Sequence, residues 1–502
     1  MIADLSLDNR ICFIYYVRAM RILKPKSNDN FAKQSKSSFQ RQPRLIRLGA
    51  SLRRPHQLWN DIPYHWIWVK FISIIVLIPS IIILARGLSV AQEYSLDDLY
   101  RIGLERSEII RIAEEDLYIA ERGKDKAVSA LLPKLSAFGG YTRYSGDKRI
   151  TEGQVIQPDY FTSWGLRLDQ SLSLSGRELT AFKISKEFIE KGRYDLYAVK
   201  EAYIFSIATA YYDVLRSKKA VEIARANVER LIKHRDAAAT RLKVGEVTKT
   251  ALLRAEAELS GAKSELIRAE NNLRLAKAVL ARIAGIDADY DVKEPVDSNS
   301  KDAEAIASLK QIALSERAEL RSFELQKRIV EDQVRYARGS YWPSLSIEGV
   351  YSRREEDPAS VFLIKESIYG ALKLNFPFFE GGLRRAEVRE AEAKLRQATL
   401  IYEDLKKTIS IEVESAHLDL MTQKGILKSL EDRVMFARDN YNSVSRQFEF
   451  GLASSIEVMD SNTLLVTAER QLSEARYNYH LALLRVKRAT GVLLKAHLFR
   501  VP

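Results

Sequence analysis

The chain has 502 residues, with 79 Lys+Arg, 66 Asp+Glu and 6 His, a net charge of +13, and 46% hydrophobic against 29% charged residues. That apolar share, with 23 Tyr and 18 Phe, excludes a disordered chain, and 12 Pro with 22 Gly are too few for an all-β chain of short strands and frequent turns. The single cysteine, Cys12, excludes an intrachain disulfide, a cysteine zinc site and an iron–sulfur cluster.

The charge is unevenly spread. Residues 1–68 hold Arg10, Arg18, Arg21, Lys24, Lys26, Lys33, Lys36, Arg41, Arg44, Arg47, Arg53 and Arg54 against Asp4, Asp8, Asp29 and Asp61. The main body is therefore nearly balanced and carries no electrostatic support for nucleic-acid binding. Residues 1–68 show neither helical nor strand period, and we read them as a basic extension that need not be translated. A basic cytoplasmic arm is the other reading.

Lys70 precedes an apolar run, Phe71 to Leu84, followed by Arg86 and Leu88-Ser89-Val90-Ala91-Gln92. A positive flank, an apolar core and small residues at Ser89 and Ala91 predict a signal peptide over 69–91, cut after Ala91. Translation would then start at Val69, from a GTG codon. A peptide map containing residues 40–60 would refute that start. The alternative is a retained anchor, for which Lys70 and Pro79 make a poor span.

Two segments of the chain match each other. At a shift of 206 residues (451 less 245), Gly245 meets Gly451 and Gly285 meets Gly491. Leu259, Ala262, Leu266, Ala269 and Asn272 meet Leu465, Ala468, Leu472, Ala475 and Asn478 without a slip. Upstream the shift is 210 residues (343 less 133): Pro133, Leu135, Tyr141 and Arg143 meet Pro343, Leu345, Tyr351 and Arg353. The boundaries that follow are a first repeat at 92–285, a linker at 286–302, a second repeat at 303–491 and a tail at 492–502. Each repeat reads as short helix, strand, loop, strand, long helix, Gly break, second helix. The linker reads as polar and loop-like.

In chain order, Pro133 to Tyr144 is a weak strand, with Leu135, Ala137 and Tyr141 on one face. Trp164, Leu166, Leu168 and Leu172 alternate with Gly165, Arg167, Asp169 and Ser171 in a second strand. No proline intervenes from Arg177 to Val244, which predicts a helix of roughly 100 Å at ~1.5 Å per residue. Tyr203, Ala210, Ala224, Leu231 and Ala238 share one heptad position, and Ile207, Val214, Val221, Val228 and Leu242 the other. Ser217 and Arg235 interrupt the pattern. A globular core cannot bury such a rod, so it belongs to a coiled coil or a tube of helices. The next helix has its own seam: Leu252, Ala255, Leu259, Ala262, Leu266, Ala269, Leu273, Ala276, Leu280 and Ile283. In the second repeat, Leu345, Ile347 and Tyr351 alternate in one strand, and Ile368, Leu372, Leu374 and Phe376 in another. Helical seam residues run from Val458 to Ala489. Strands with one apolar face fit a membrane barrel or a soluble sheet. Two hairpins cannot close a barrel, and lipid tolerates no open edge, so a barrel would be shared by several chains.

Gly245 and Gly451 mark the turns between paired helices. Val244, Gly245 and Val247 on one tip, and Phe450, Gly451 and Leu452 on the other, suit docking of another helical hairpin, or simple capping. The histidines, His56, His65, His234, His417, His480 and His497, have no metal or catalytic spacing, and His234, His417 and His480 read as packing or surface residues. No phosphate loop or dinucleotide fingerprint is present. We expect no enzyme activity, no cofactor and no metal.

The segments Phe448-Glu449-Phe450-Gly451, Ile456-Glu457-Val458-Met459-Asp460 and Ala475-Arg476-Tyr477-Asn478-Tyr479, with the corners Leu172-Ser173-Leu174-Ser175-Gly176 and Phe378-Phe379-Glu380-Gly381-Gly382, make the chain similar to the TolC family of outer-membrane efflux and secretion channels. The resemblance spans about residues 95–491. It implies a mainly α fold with β: duplicated long-helix hairpins forming an α-helical barrel, plus four strands per chain in a trimeric 12-stranded transmembrane β-barrel. It implies a passive exit duct in the outer membrane, with a periplasmic extension, that forms a homotrimer and meets a periplasmic adaptor and an inner-membrane pump. An inner-membrane-anchored coiled-coil adaptor is the alternative. By the same resemblance Glu457 and Asp460 form acidic rings at the channel entrance. They are also residues of an ordinary solvated helix face, and Ala251 and Arg254 match them in the first repeat. The polar latch of the family falls on Phe448, Ala453 and Ala251, so it is missing, and closure must rest on other contacts.

Overall fold

The computed structural model describes residues 92–150, 152–287, 289–295 and 305–498. The chain divides into two compact units, Met1–Gly87 and Leu88–Pro502, and every described residue lies in the second. The basic extension, the signal peptide and the Val69 start lie outside the described residues.

The first repeat opens with β1 (Gln92–Tyr94), α1 (Leu96–Arg106) and α2 (Glu108–Ser129). The single short helix expected here is two. Ser107 breaks it with extended backbone and caps α2 by accepting a hydrogen bond from the Ile110 N–H. Strands β2 (Lys134–Arg143), β3 (Lys148–Arg149), β4 (Val155–Gln157) and β5 (Tyr160–Ser173) follow, then α3 (Arg177–Lys243) and α4 (Lys249–Ala284). After β6 (Tyr290–Val292) the second repeat supplies α5 (Ile306–Glu316), α6 (Ala318–Arg338), β7 (Ser344–Asp357), β8 (Glu366–Asn375), α7 (Leu383–Glu449) and α8 (Ser455–Ala489). A last helix, α9 (Leu493–Leu498), closes the described chain. The duplication extends to element lengths. Helices α1 and α5 have 11 residues each, and α3 and α7 have 67 each.

The linker expected to be a loop contributes a strand. β6 pairs in parallel with β1, Glu93 opposite Asp291. Tyr290 and Val292 are buried there beside Leu99, Tyr211 and Leu280. The tail is also built in. Leu493 and Leu494 are buried in the same cluster, and the Leu493 N–H donates to the carboxylate of buried Glu201 on α3.

The coiled-coil seams bury the residues that the heptads select. Val228, Leu231, Leu259 and Ala262 pack together in the first hairpin, and Val434, Ala437, Leu465 and Ala468 do so at the matching positions of the second. Alternating large and small residues let α3 approach α4, and α7 approach α8, along a knobs-into-holes seam.

Four strands form one antiparallel sheet in the order β2–β5–β7–β8. The registers Leu135↔Leu168, Leu166↔Tyr351 and Ile347↔Leu372 put the apolar residues on one face. On the other face Glu348 accepts hydrogen bonds from Arg167 (3.0 Å), Tyr369 (2.9 Å) and Lys373 (2.5 Å). Strands β2 and β8 are the edges of this sheet and have no further strand partner among the described residues.

Candidate functional site

Two surfaces carry the functional reading: the apolar face of the sheet and the two helical-hairpin tips. On the sheet, Leu135, Tyr141, Trp164, Leu166, Leu168, Ile347, Leu374, Ile368 (79% exposed) and Leu372 (70% exposed) all face outward. Such a continuous apolar surface on a sheet of ten- to fourteen-residue strands has no place in water. Aromatic residues mark both of its ends. Tyr341, Trp342, Phe376, Phe378 and Phe379 are exposed where strands become helices, with Phe376 and Phe378 ring-to-edge at 4.7 Å. Trp164 meets Tyr351 edge-on at 5.9 Å farther along the strands. Paired aromatic girdles around an apolar band are the pattern of a lipid-facing strand surface.

The long helices end alike at the two tips. Helix α3 ends where Gly245 takes φ +80°, and α7 ends where Gly451 takes φ +77°. At each, the glycine N–H donates three residues back, to Leu242 or Phe448. The following N–H donates five back, from Glu246 to Arg241 (3.0 Å) and from Leu452 to Gln447 (2.8 Å). This double bond satisfies the last helical carbonyls and requires a left-handed residue, which only glycine adopts without strain. Val244, Phe450 and Leu452 are left exposed (68%, 79% and 80%), while Val247 is half-buried. The geometry thus places Val244, Gly245, Val247 on one tip and Phe450, Gly451, Leu452 on the other as projecting, mostly apolar ends.

Helix α4 then starts on Thr248, whose side chain accepts from the Ala251 N–H. Helix α8 starts on Ser454 with a full capping box: the Ser454 hydroxyl accepts from the Glu457 N–H (3.3 Å), and the Glu457 carboxylate accepts from the Ser454 N–H (2.6 Å). That backbone hydrogen bond, with the serine hydroxyl, holds the Glu457 carboxyl below its ordinary range. Glu457 is therefore anionic and fixed in direction by the cap. Asp460, one turn on, is exposed and has no hydrogen-bond or ion-pair partner among the described residues. Asp460 is thus the more freely oriented of the two carboxylates.

Phe448 is buried and packs against the first hairpin. The Phe448 ring lies 4.9 Å from the imidazole of His234 and beneath the Arg241 guanidinium at 4.6 Å. Arg241 also donates to the Glu449 carbonyl, and His234 Nε2 is 2.9 Å from the Ser455 hydroxyl. Farther along the same seam, Arg230 donates to Asn462 Oδ1 (2.9 Å), and Asn462 donates to Asn227 Oδ1 (2.7 Å). The first hairpin thus grips the second through α3, at Phe448, Ser455 and Asn462. Burial keeps His234 below its ordinary range, hence neutral at neutral pH. From the sequence His234 reads as a packing or surface residue, and it is buried. Its burial, its serine partner and its role in joining two hairpins carry no local sequence signal.

The model of the family described as "Outer membrane efflux protein" matches residues 99–286 and 309–492, one match to each repeat. The chain is 23% identical over 380 residues to outer membrane protein TolC of Vibrio cholerae, covering 73% of this chain and 83% of that protein. It is 24% identical over 428 residues to outer membrane protein TolC of Escherichia coli, covering 81% and 84%. Among solved structures, the CmeC outer membrane channel of Campylobacter jejuni superposes with a TM-score of 0.71 at 18% identity, over 79% of this chain and 86% of that one. The outer membrane protein VceC of Vibrio cholerae gives 0.69 at 18% identity, over 79% and 96%. Two helical hairpins, a lipid-facing sheet and a family match that covers both repeats converge: the chain belongs to the outer membrane efflux protein family and is an outer-membrane channel protein.

Proposed function

We propose that three copies of this chain assemble into a passive exit duct. Each copy lends four strands to a twelve-stranded barrel in the outer membrane and two hairpins to a helical tunnel beneath it. The observation that carries this reading is the four-stranded sheet itself. It has one apolar face exposed along its length and two unpaired edges, a state that lipid does not tolerate. Closing the edges against other copies satisfies every backbone group and leaves the polar face, with Arg167, Glu348, Tyr369 and Lys373, around the lumen.

The tips Val244–Val247 and Phe450–Leu452 are the docking ends for a periplasmic adaptor, which couples the duct to an inner-membrane pump. The Vibrio and Escherichia TolC relatives, and the pyoverdine export protein OpmQ of Pseudomonas aeruginosa, support an export role. Glu457 and Asp460 form acidic rings at the entrance, where Asp460 acts as the unpaired charge and Glu457 as the one oriented by its cap. A confined ring of carboxylates concentrates cations and slows anions. The alternative of an inner-membrane-anchored adaptor falls, because the matched relatives are outer-membrane proteins and both repeats carry a helical hairpin.

The test is native mass and conductance of the purified protein. A mass of three copies and a cation-preferring conductance, with the preference reduced in Asp460→Asn, are expected. A single copy with no conductance overturns the duct.

A further inference from the structure

We propose that the strand barrel is a second selectivity element, opposite in sign to the acidic entrance, in which Lys134 and Lys365 take up carboxylate or phosphate groups of the passing solute. This rests on the duct reading above and adds the class of charge that its exit accepts. The assignment comes from the strand alternation, which turns every second side chain to the same face. Lys134 lies opposite Asp169, and Asp169 opposite Glu348, so all three share the polar face. Arg354 and Glu356 follow Glu348 at even spacing along β7, and the Arg354 guanidinium sits over the Phe161 ring at 4.0 Å. Lys365 precedes Tyr369 and Lys373 at even spacing, and its carbonyl accepts from the Arg354 N–H (2.9 Å). A barrel with its apolar face toward lipid turns all of these residues to the lumen.

The lumenal cations are then Lys134, Arg167, Arg354, Lys365 and Lys373, against the carboxylates Asp169, Glu348 and Glu356. Every one of these carboxylates is engaged. Buried Glu348 holds Arg167, Tyr369 and Lys373. Asp169 lies 3.8 Å from Arg167. Glu356 lies 2.7 Å from Arg354 and accepts from the Ser360 N–H (3.2 Å). Lys134 and Lys365 are left over. Both are exposed, and neither ammonium has an ion-pair partner among the described residues. Lys134 is level with Glu348 and Lys365 with Arg354, which sets them about 20 Å apart along the strands at ~3.3 Å per residue.

The two charged belts act in series and do not cancel. Helix α7, with 67 residues, separates the barrel from the tips by roughly 100 Å at ~1.5 Å per residue. That is about ten Debye lengths at ~0.1 M salt. Inside a confined barrel the field of unpaired ammonium groups is focused and gathers anions, as the carboxylates of Glu457 and Asp460 gather cations at the other end.

Planar-bilayer recordings of the full-length protein, with native mass measured on the same sample, test this. In KCl at about 0.1 M the current should be about twofold larger with the barrel side negative, because anions then enter through the barrel while cations enter through the tips. In KCl at about 1 M, where the Debye length is ~3 Å, the asymmetry should disappear. Citrate added on the barrel side should reduce the low-salt current. Lys134→Gln with Lys365→Gln should abolish the asymmetry and the citrate effect and deepen the cation preference. Arg143→Gln, two residues past Tyr141 on the apolar face, should change none of the three. Glu457→Gln with Asp460→Asn, in which Gln can still accept the cap, should turn the preference to anions. A lysine variant that matches the wild type, in protein that conducts and has a native mass of three copies, overturns the basic exit. A native mass of one copy without conductance overturns the duct instead.

Discussion

Helices α3 and α7 are both 67 residues long and occupy matching places in the two repeats, yet α3 buries seventeen residues and α7 only seven. The cores beside them differ in the same direction. Around α3 lies a large cluster including Leu99, Ile110, Ile204, Ile207, Tyr211, Leu280, Tyr290, Leu481 and Leu493. Around α7 the counterpart shrinks to Leu309, Ala313, Leu320, Ile409, Val413, Ala416 and Ala489. The reason is topological. Helix α3 has α6, α8 and α9, from later parts of the chain, and β6, from the linker that follows its repeat, packed against it. Helix α7 has no later repeat to cover it, and Leu400, Ile411, Leu418, Met435 and Phe436 stay exposed. A sequence element made twice is thus covered once within the chain, and its second occurrence keeps apolar side chains exposed in the single chain.

Substitutions at matched positions of the two repeats can sharpen or break this contrast. The largest effect is expected in the first core. Ile207→Ala removes a fully buried side chain and should cost about 2–5 kcal/mol in chemical denaturation. Its counterpart Val413→Ala has fewer atoms to lose, and an equal or larger cost there would contradict the asymmetry.

Glu201 comes next. Its counterpart Lys407 is exposed, whereas Glu201 is buried under α9. Burial, aided by nearby Glu319, pushes its carboxyl up to about 7 from an ordinary 4.5. A raised carboxyl favours the protonated folded state. The stability it contributes is complete below about pH 4.5 and is lost as pH rises through about 7. Glu201→Gln, which still accepts the Leu493 N–H, should therefore melt higher than the wild type at pH 8, by up to roughly 3 kcal/mol, and equally at pH 4.5. Identical melting curves at pH 8 would remove the buried charge from the account.

His234 carries the opposite sign, and its counterpart Asn440 does not titrate. A lowered imidazole favours the neutral folded form, so the seam with Ser455 is stable above about pH 6.5 and weakens as pH falls further. The slope is at most about 1.4 kcal/mol per pH unit for one proton. Amide protection factors at the start of α8, which allow for the intrinsic slowing of exchange in acid, should fall as pH drops for the wild type, and His234→Gln should flatten that dependence. Unchanged acid sensitivity in the variant would assign it elsewhere.

The smallest effect separates the two tips. Ser454→Ala removes a reciprocal cap and should cost about 1 kcal/mol, with Thr248→Ala, a one-sided cap, costing less. Thermal denaturation of the two variants side by side decides the order.

The amino-acid sequence by itself determined the duplication, the proline-free span of the long helix, the seam residues from Tyr203 to Ala238, the two glycine breaks and the four alternating strands. These rest on local periodicity and on the backbone freedom of single residues, which neighbouring side chains announce within a few positions. Only the tertiary structure decided that Tyr290–Val292 is a strand on Gln92–Tyr94, that Leu493 closes over Glu201, and that Phe448 sits between His234 and Arg241. The Ser454–Glu457 capping box is different: its partners are three residues apart, so it is local, and it competes with the expected place of Glu457 in an open ring. Short strands, buried carboxylates and seam contacts of this kind depend on partners up to about three hundred residues away in the chain, whose approach is set by how the long helices pack and leaves no periodic trace in the segments themselves.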